Sequence, residues 1–222
     1  IARRQFEDDG VDPTHMFVAG GAIGALQLAL RASVSFGDRV GVEDPGFNDH
    51  HALVTAVGCR AVPIPIDDEG PLEIPNGLRA VLLTARCQSP TGAVISKARA
   101  AKLRGDVTLL IDDYGAMLTD EPYADAIGKR EHWCVVRSYN KVIAPDLRVA
   151  VAVGDGQTIE RMRQQQSLGD GWVSMYLQRA CVEALRDKKV IRHAVRTYNQ
   201  TSASGWRNGD RVRLENGSLR TI

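Results

Sequence analysis

The sequence predicts an α/β fold in which a mostly parallel sheet is flanked by helices on both faces. Two observations lead to this prediction. Short runs of apolar residues recur along the chain, and segments with helical periodicity separate them. Strands that are buried on both faces are apolar throughout, and the crossover between two parallel strands is usually a helix. The length of 222 residues suits either one large domain or about one and a half domains of typical size.

The predicted elements alternate along the chain as this fold requires. The apolar stretches that predict strands are, in order, MFVAG, DRVGVEDPG, RAVPIPID, RAVLLTA, VTLLIDDY, HWCVVRS and LRVAVAVG. The segments with helical spacing are GAIGALQLALRASV, HHALVTAVG, ISKARAAKLR, TIERMRQQQSLG, VSMYLQRACVEALRD and VIRHAVRTYNQ. At the end of the chain, RVRLENGSLRTI predicts two short strands around an Asn-Gly turn.

Charge and cysteine usage exclude several classes of protein. The chain has 28 Lys and Arg against 27 Asp and Glu and no dense basic run, so it lacks the electrostatic signature of nucleic-acid binding. The cysteines Cys59, Cys87, Cys134 and Cys181 have no metal-site or CxxC spacing, which predicts free buried thiols in a reducing compartment. No apolar run is long enough to cross a bilayer, so we expect a cytoplasmic protein without membrane contact.

Chemically useful residues come where the predicted strands end. In open α/β sheets, ligands bind outside the carboxyl ends of the strands. The five ends in question carry Gly20 and Gly21, Pro45 to Phe47, Gln88 to Gly92, Asp112 to Tyr114, and Ser138 to Lys141. We expect these five ends to meet in one crevice, which is the predicted site.

Two charged residues and a tyrosine of this site allow either a structural or a chemical interpretation. Lys141 is either a solvated surface charge or, beside a second cation in a partly dry crevice, a neutral amine that attacks a carbonyl. Asp112 is either a turn residue or a carboxylate that keeps a pyridine nitrogen protonated. Tyr114 is either a half-buried aromatic residue or a hydrogen-bond donor to a cofactor's phenolic oxygen.

An anion site is the second feature that the pattern indicates. Gly20 and Gly21 form either an ordinary turn or the free amides of a helix amino terminus, which attract an anion. Ser138 and Arg148 would complete that site, the arginine through its charge and its forked donors. Phe47 is either a core residue or a stacking partner for an aromatic cofactor ring. For His50, His51 and Trp172, a surface or core role is favoured over a place in the pocket.

The pieces GGAIGAL, VEDPGF, QSPTG, LLIDDY and SYNKVIAPDLR, in this order, resemble class I/II aminotransferases of the pyridoxal-phosphate (PLP) fold-type I superfamily. More narrowly, they resemble the aminotransferase-like domain of MocR-type members of the GntR transcription regulators. The resemblance covers about residues 6–198 and the C-terminal RVRL…SLRTI. It implies a PLP-dependent transferase-like fold, with 1–188 as the large PLP-binding domain and 189–222 as an incomplete small C-terminal domain.

The resemblance also implies a role for each site residue, with pyridoxal 5'-phosphate as the cofactor. Lys141 would form a Schiff base and shuttle the proton, and Asp112 would pair with the pyridine nitrogen. Tyr114 would bond the ring hydroxyl, for which many members also use an Asn where this chain has Ser89. The other implied contacts are Phe47 on the ring, the Gly21 and Ala22 amides with Ser138 and Arg148 at the phosphate, and Arg220 at a substrate carboxylate.

Two functions follow from the resemblance, and a third is disfavoured. The leading one is transamination between an amino acid and a 2-oxo acid through Lys141. The alternative is the effector-sensing domain of a MocR/GntR-type regulator that forms aldimines without turnover and contacts DNA only through an N-terminal domain absent from this sequence. A plain dinucleotide-binding domain is disfavoured, because no GxGxxG follows the first strand. Members of the family commonly form homodimers, which we expect here too.

Overall fold

The computed structural model describes residues 1–103, 105–169, 171–204, 211–213 and 219–221, without the side chains from residue 198 onwards. The strands are β1 (Met16–Ala19), β2 (Arg39–Asp44), β3 (Arg60–Asp67), β4 (Gly70–Pro71), β5 (Ala80–Thr84), β6 (Thr108–Asp112), β7 (Trp133–Ser138), β8 (Ala150–Gly154), β9 (Arg211–Arg213) and β10 (Leu219–Thr221). The helices are α1 (Ala2–Asp8), α2 (Ala22–Ser33), α3 (Asn48–Ala56), α4 (Lys97–Lys102), α5 (Gly156–Ser167), α6 (Met175–Arg186) and α7 (Lys188–Ser204). Each strand and helix predicted from the sequence is present.

Eight of these strands form one sheet in the order β1-β8-β7-β6-β5-β2-β3-β4. The pairs β3–β2, β2–β5, β5–β6 and β6–β7 are parallel, whereas β8 is antiparallel to both β7 and β1. The prediction of a mostly parallel sheet is therefore confirmed. Strand β1 runs in the same direction as β7, because both are antiparallel to β8. The six strands β1, β2, β3, β5, β6 and β7 therefore have their carboxyl ends at one edge of the sheet, and β8 begins at that same edge.

Helices cover both faces of the sheet with their apolar side chains, as the continuous apolar strands predict. On one face, Leu26 of α2 and Met162 of α5 pack with Leu110 of β6. On the other face, Phe6 of α1 packs with Leu109 of β6. Every residue of β5, β6 and β8 is buried, because both faces of these central strands are covered.

The alternation of side chains along a strand determines on which face of the sheet each residue at a strand end lies. Leu109 and Leu110 belong to opposite clusters, as neighbours in a strand must. The same alternation places Asp112 on the face covered by α2. Arg137 lies on the face covered by α1, where its guanidinium carbon is 4.1 Å from the centroid of the Phe6 ring.

The remaining fold predictions concern the end of the chain, the cysteines and the membrane. β9 and β10 pair antiparallel, as predicted, and the Asn-Gly turn between them lies outside the described residues. All four cysteines are free and buried, also as predicted. None of the described helices has both the length and the apolar character needed to cross a membrane.

Candidate cofactor-binding site

A cavity of about 320 Å³ opens at the edge where the parallel strands end. It is lined by Ala22, Ile23, Phe47, Asp49, Ser89, Asp112, Tyr114, Ser138, Asn140, Lys141 and Arg148. All but two of the residues to which the resemblance assigns a role are in this lining. The exceptions are Gly21, which precedes Ala22, and Arg220, whose backbone lies in β10 and whose side chain lies outside the described residues.

The amino end of α2 forms one end of the cavity. Gly21 is the N-cap residue and has a φ of 103°, in the region that glycine adopts most readily. A Cβ at this position would lie 2.8 Å from Nη2 of Arg148, so the absence of a side chain lets the guanidinium lie against the helix start. The amide of Gly21 donates to the carbonyl of Ala19 at 2.9 Å. The amides at Ala22 and beyond therefore remain as the donors that a helix start offers to an anion.

Asp112 is the buried acid of the cavity and is held on both carboxylate oxygens. Its Oδ2 lies 3.1 Å from Nε2 of His50, and its Oδ1 accepts a hydrogen bond of 3.2 Å from the amide of Tyr114. An ionised carboxylate only accepts hydrogen bonds, so Nε2 of His50 is the donor. Nδ1 of His50 is buried and has no hydrogen-bond partner among the described residues.

His50 also fixes the aromatic wall of the cavity. It lies in the first turn of α3, three residues after Phe47, so the two side chains share one face of the helix start. Their rings meet edge to face, with centroids 5.4 Å apart and an interplanar angle of 87°. Sequence reasoning favoured a core or surface role for His50. It is buried as a core residue would be, and it links the Asp112 carboxylate to the Phe47 ring. The three-residue spacing from Phe47 was the feature of the sequence that could have indicated this position.

Tyr114 and Ser138 have hydrogen-bond partners close to the cavity. The hydroxyl of Tyr114, which begins the 3-10 turn after β6, donates to the carbonyl of Cys87. Oγ of Ser138, the last residue of β7, is 2.6 Å from Oδ1 of Asn140 and donates to it. Lys141 follows in the turn after β7, where it is exposed to solvent on the cavity wall.

A buried glutamate supports the loops around the cavity, although sequence reasoning did not single it out. Glu43 accepts hydrogen bonds from the amide and the hydroxyl of Thr84, at 3.0 and 2.8 Å. Gln88 donates to the carbonyl of Pro45 at 2.9 Å and thereby connects the loop after β5 to the loop after β2. Burial raises the pKa of Glu43 to about 7. These two loops carry the Ser89 and Phe47 side chains of the cavity.

Known proteins resemble the chain over most of its length. The family described as aminotransferase class I and II matches residues 10–205. The chain is 37% identical to the vitamin B6 salvage pathway transcriptional repressor PtsJ of Salmonella typhimurium, over 77% of this chain and 43% of the relative. It is 28% identical to the HTH-type transcriptional regulator TauR of Rhodobacter capsulatus, over 68% of this chain and 34% of that one. The chain thus spans less than half the length of these two relatives.

Solved structures show the same fold. The α-aminoadipate aminotransferase LysN from Thermus thermophilus superimposes with a TM-score of 0.76 at 23% identity, covering 89% of this chain and 56% of that chain. These findings confirm the resemblance to class I/II aminotransferases, and the two regulators confirm the narrower one. The chain belongs to the aminotransferase class I and II family and has the PLP-dependent transferase fold of type I.

Proposed function

We propose that this chain binds pyridoxal 5'-phosphate at Lys141 and uses it to transaminate an amino acid. The observation that carries the proposal is the composition of one cavity. A buried carboxylate, an aromatic wall, a helix start with an adjacent arginine, and a lysine all line the same 320 Å³. Each of these groups matches a different part of the cofactor.

The phosphate of the cofactor fits the end of the cavity at α2. The free amides of the first helical turn would donate to an anion there, and the helix dipole adds a partial positive charge. Arg148 lies against Gly21, where its forked donors would reach phosphate oxygens. Ser138 adds a hydroxyl on the same wall. The geometry favours Ala22 over Gly21 as the backbone donor, because the Gly21 amide is already bonded to Ala19.

The ring of the cofactor fits the centre of the cavity. Phe47 supplies a flat apolar surface on which a pyridine ring would stack. Asp112 would keep the pyridine nitrogen protonated, and its hydrogen bond from His50 holds the carboxylate in place. Tyr114 and Ser89 would bind the ring hydroxyl from the same cavity.

When bound, pyridoxal phosphate supplies an electron sink for the charge that develops at the α-carbon of an amino acid. The residues of the chain then have separate tasks. Lys141 would take the α-proton on Nζ and return a proton, acting as general base and acid. Asp112, fixed by His50, would stabilise the protonated ring nitrogen throughout. The low exposure of Asp112, at 3%, strengthens this electrostatic interaction, since water screens it little.

Three further assignments belong to the same proposal. Arg220 would bind the α-carboxylate of the substrate through a bidentate contact. Residues 1–188 would form the large cofactor-binding domain, and residues 189–222 part of a small C-terminal domain. The protein would act as a homodimer, by its resemblance to the family.

A second function is favoured by a different observation, namely the 37% identity with a transcriptional repressor of the vitamin B6 salvage pathway. In that case the same cavity would bind the cofactor and an amino acid as effectors, without turnover. Contact with DNA would then require an N-terminal domain outside this sequence. The residues that bind the cofactor are the same for both functions, so only the fate of the amino acid separates them.

The test is to load the protein with pyridoxal 5'-phosphate, add a panel of amino acids, and follow both absorbance and 2-oxo acid release. A transaminase releases a 2-oxo acid, and a second 2-oxo acid restores the starting spectrum. A sensor shows a lasting spectral change with no 2-oxo acid over hours. Lys141→Ala serves as the negative control for release. If the absorbance spectrum of pyridoxal 5'-phosphate does not change when the protein is added, both functions are contradicted.

A further inference from the structure

On the α1 face of the sheet, two arginines and two aspartates form a buried ion cluster that has no part in the cavity lining. Arg86, Arg137 and Asp113 have side chains that are at most 4% exposed, and Asp9, which follows α1, is 24% exposed. Two positive and two negative groups balance. Buried charges are retained only when they are paired and hydrogen-bonded in this way.

Each aspartate in the cluster binds both arginines. Asp113 accepts from Nε and Nη2 of Arg86, at 2.9 and 2.7 Å, and from Nε of Arg137, at 2.8 Å. Asp9 accepts from Nη2 of Arg86 at 3.0 Å and from Nη2 of Arg137 at 2.5 Å. The four side chains therefore form a closed ring of charge-assisted hydrogen bonds.

The remaining donors tie this ring to α1 and to the loop after the 3-10 turn. Nη1 of Arg137 donates to the carbonyl of Gln5 at 2.7 Å, and Nη1 of Arg86 donates to that of Glu121 at 3.2 Å. The Arg137 guanidinium also lies over the Phe6 ring. Helix α1 is thus joined to the central strands by charge as well as by apolar packing.

The position of the cluster in the chain connects it to the cavity residues Asp112 and Ser138, whose side chains lie on the opposite face of the sheet. Asp113 follows Asp112 directly, and Arg137 precedes Ser138 directly. Arg86 lies three residues before Ser89. Neighbouring side chains at the ends of β6 and β7 point to opposite faces of the sheet. The cluster on the α1 face therefore binds the same backbone segments that carry the cavity residues Asp112 and Ser138.

We propose that the Asp9–Arg86–Arg137–Asp113 cluster positions the cofactor site. By fixing the ends of β6 and β7, it holds the side chains of Asp112 and Ser138 where they can contact a cofactor in the cavity. All four are positioning residues, since none of them lines the cavity. The inference rests on the proposed function, because its consequence is the affinity for pyridoxal 5'-phosphate. A displacement of about 1 Å in an active site can change the reaction rate by about 100-fold, so the position of these side chains is sensitive to small backbone shifts. We expect the same shifts to weaken the contacts that bind the cofactor.

A purely structural role makes a different prediction. If the cluster only stabilised the fold, breaking it would lower the free energy of unfolding and leave the affinity of the folded protein unchanged. Asp155 provides a matched control for that case. It accepts a hydrogen bond of 2.9 Å from the amide of Trp133, at the start of β7, and one of 3.0 Å from the amide of Thr158, where it caps α5. It therefore anchors the same strand at the end far from the cavity.

The experiment compares Asp113→Asn, Arg137→Lys and Asp155→Asn with the unaltered protein. Urea unfolding of the cofactor-free protein gives stability, and fluorescence titration with pyridoxal 5'-phosphate gives the dissociation constant under conditions where each protein is folded. We expect all three variants to be less stable. The dissociation constant should rise at least about tenfold in Asp113→Asn and Arg137→Lys, equivalent to about 1.4 kcal/mol, and change less than about twofold in Asp155→Asn.

Unchanged cofactor affinity in both cluster variants would overturn the inference and leave the cluster a structural role. An equal loss of affinity in Asp155→Asn would overturn it too, since any weakening of β7 would then suffice. Should the two buried variants fail to fold, Asp9→Asn at the partly exposed member decides the matter by the same titration. A rise of at least about threefold is expected there, and no rise contradicts the inference. Failure of the unaltered protein to bind the cofactor would instead contradict the proposed function on which the inference depends.

Discussion

Asp112 and Asp113 are neighbours in the chain, yet their carboxylates lie on opposite faces of the sheet. Asp112 lines the cavity and accepts from His50, whereas Asp113 is completely buried between Arg86 and Arg137. The two acids therefore have different tasks. Asp112 lines the cavity and is placed to interact with a ligand, while Asp113 lies outside the cavity lining and is paired with two arginines.

Replacing Asp112 should slow the chemistry far more than it weakens binding. Asp112→Asn keeps the shape of the side chain but removes the charge that would stabilise a protonated ring nitrogen. We expect exchange of the α-proton of a bound amino acid to slow at least about 100-fold, or about 3 kcal/mol, with cofactor still bound. Proton exchange followed by NMR in deuterated buffer measures this. The exposed Asp120→Asn is the matched control, and an equal rate in Asp112→Asn and Asp120→Asn would remove Asp112 from the mechanism.

Loss of the His50 donor should have a smaller effect of the same kind. His50→Leu leaves the buried Asp112 carboxylate without the 3.1 Å contact and changes the edge-to-face packing on Phe47. A hydrogen bond to a charged group contributes about 1.5–3 kcal/mol, so we expect α-proton exchange to slow by at least about tenfold. His50→Gln keeps an N–H donor and should recover part of that loss. If the two variants exchange at the same rate, the donor is not what matters at this position.

The two adjacent glycines before α2 should respond differently to alanine. Gly21 has a φ of 103° and no room for a Cβ beside Arg148, whereas a Cβ on Gly20 would meet no atom within 4 Å. Gly21→Ala should displace the Arg148 guanidinium and raise the dissociation constant for pyridoxal 5'-phosphate at least about tenfold. Gly20→Ala should change it less than about twofold. A fluorescence titration measures both dissociation constants. Equal affinities of Gly21→Ala and Gly20→Ala for pyridoxal 5'-phosphate would show that cofactor binding does not depend on the contact between Gly21 and Arg148.

Glu43 should make the stability of the protein depend on pH. Its pKa is raised from 4.5 to about 7 in the folded state, so the folded protein holds a proton that the unfolded chain releases between these values. Stability from this residue is therefore complete below about pH 4.5 and is lost as the pH rises to about 7. At about 1.4 kcal/mol for each pKa unit, the loss is up to about 3 kcal/mol.

Glu43→Gln copies the protonated form and should remove this dependence. The difference in unfolding free energy between the unaltered protein and this variant should shift by up to about 3 kcal/mol in favour of the variant between pH 4.5 and pH 8. Urea unfolding at several pH values measures it. The exposed Glu73→Gln should follow the unaltered protein at every pH. A constant difference for Glu43→Gln across this range would mean that Glu43 is ionised throughout.

The sequence predicted the elements of the fold well, because apolar strands and amphipathic helices are local patterns. It did not predict the direction of β8, since an apolar strand looks the same in either orientation. That direction matters, because it brings the start of β8, and with it Arg148, to the cavity edge. The contact between His50 and Asp112 joins residues 62 positions apart, which no local pattern reveals.

The ion cluster was harder still to predict. Arg137 lies within the apolar run WCVVRS, where an arginine gives no sign of a buried partner, and Asp9 and Arg86 come from distant parts of the chain. The resemblance to a known family implied eight of the cavity residues, whereas Ile23 and Asp49 of the lining were not predicted. Their hydrogen bonds, such as that from Tyr114 to the Cys87 carbonyl, join segments that are distant in the chain and so have no local sequence pattern.

The central claim is that Lys141 holds pyridoxal 5'-phosphate, and borohydride reduction tests it most directly. The protein is loaded with the cofactor, reduced, digested and mapped by mass spectrometry. We predict one pyridoxyl adduct on the peptide that contains Lys141, and none on that peptide in Lys141→Arg. Lys97 and Lys129, which line a different cavity, should remain unmodified. An adduct on either of those lysines in place of Lys141, or no adduct at all, would contradict the account.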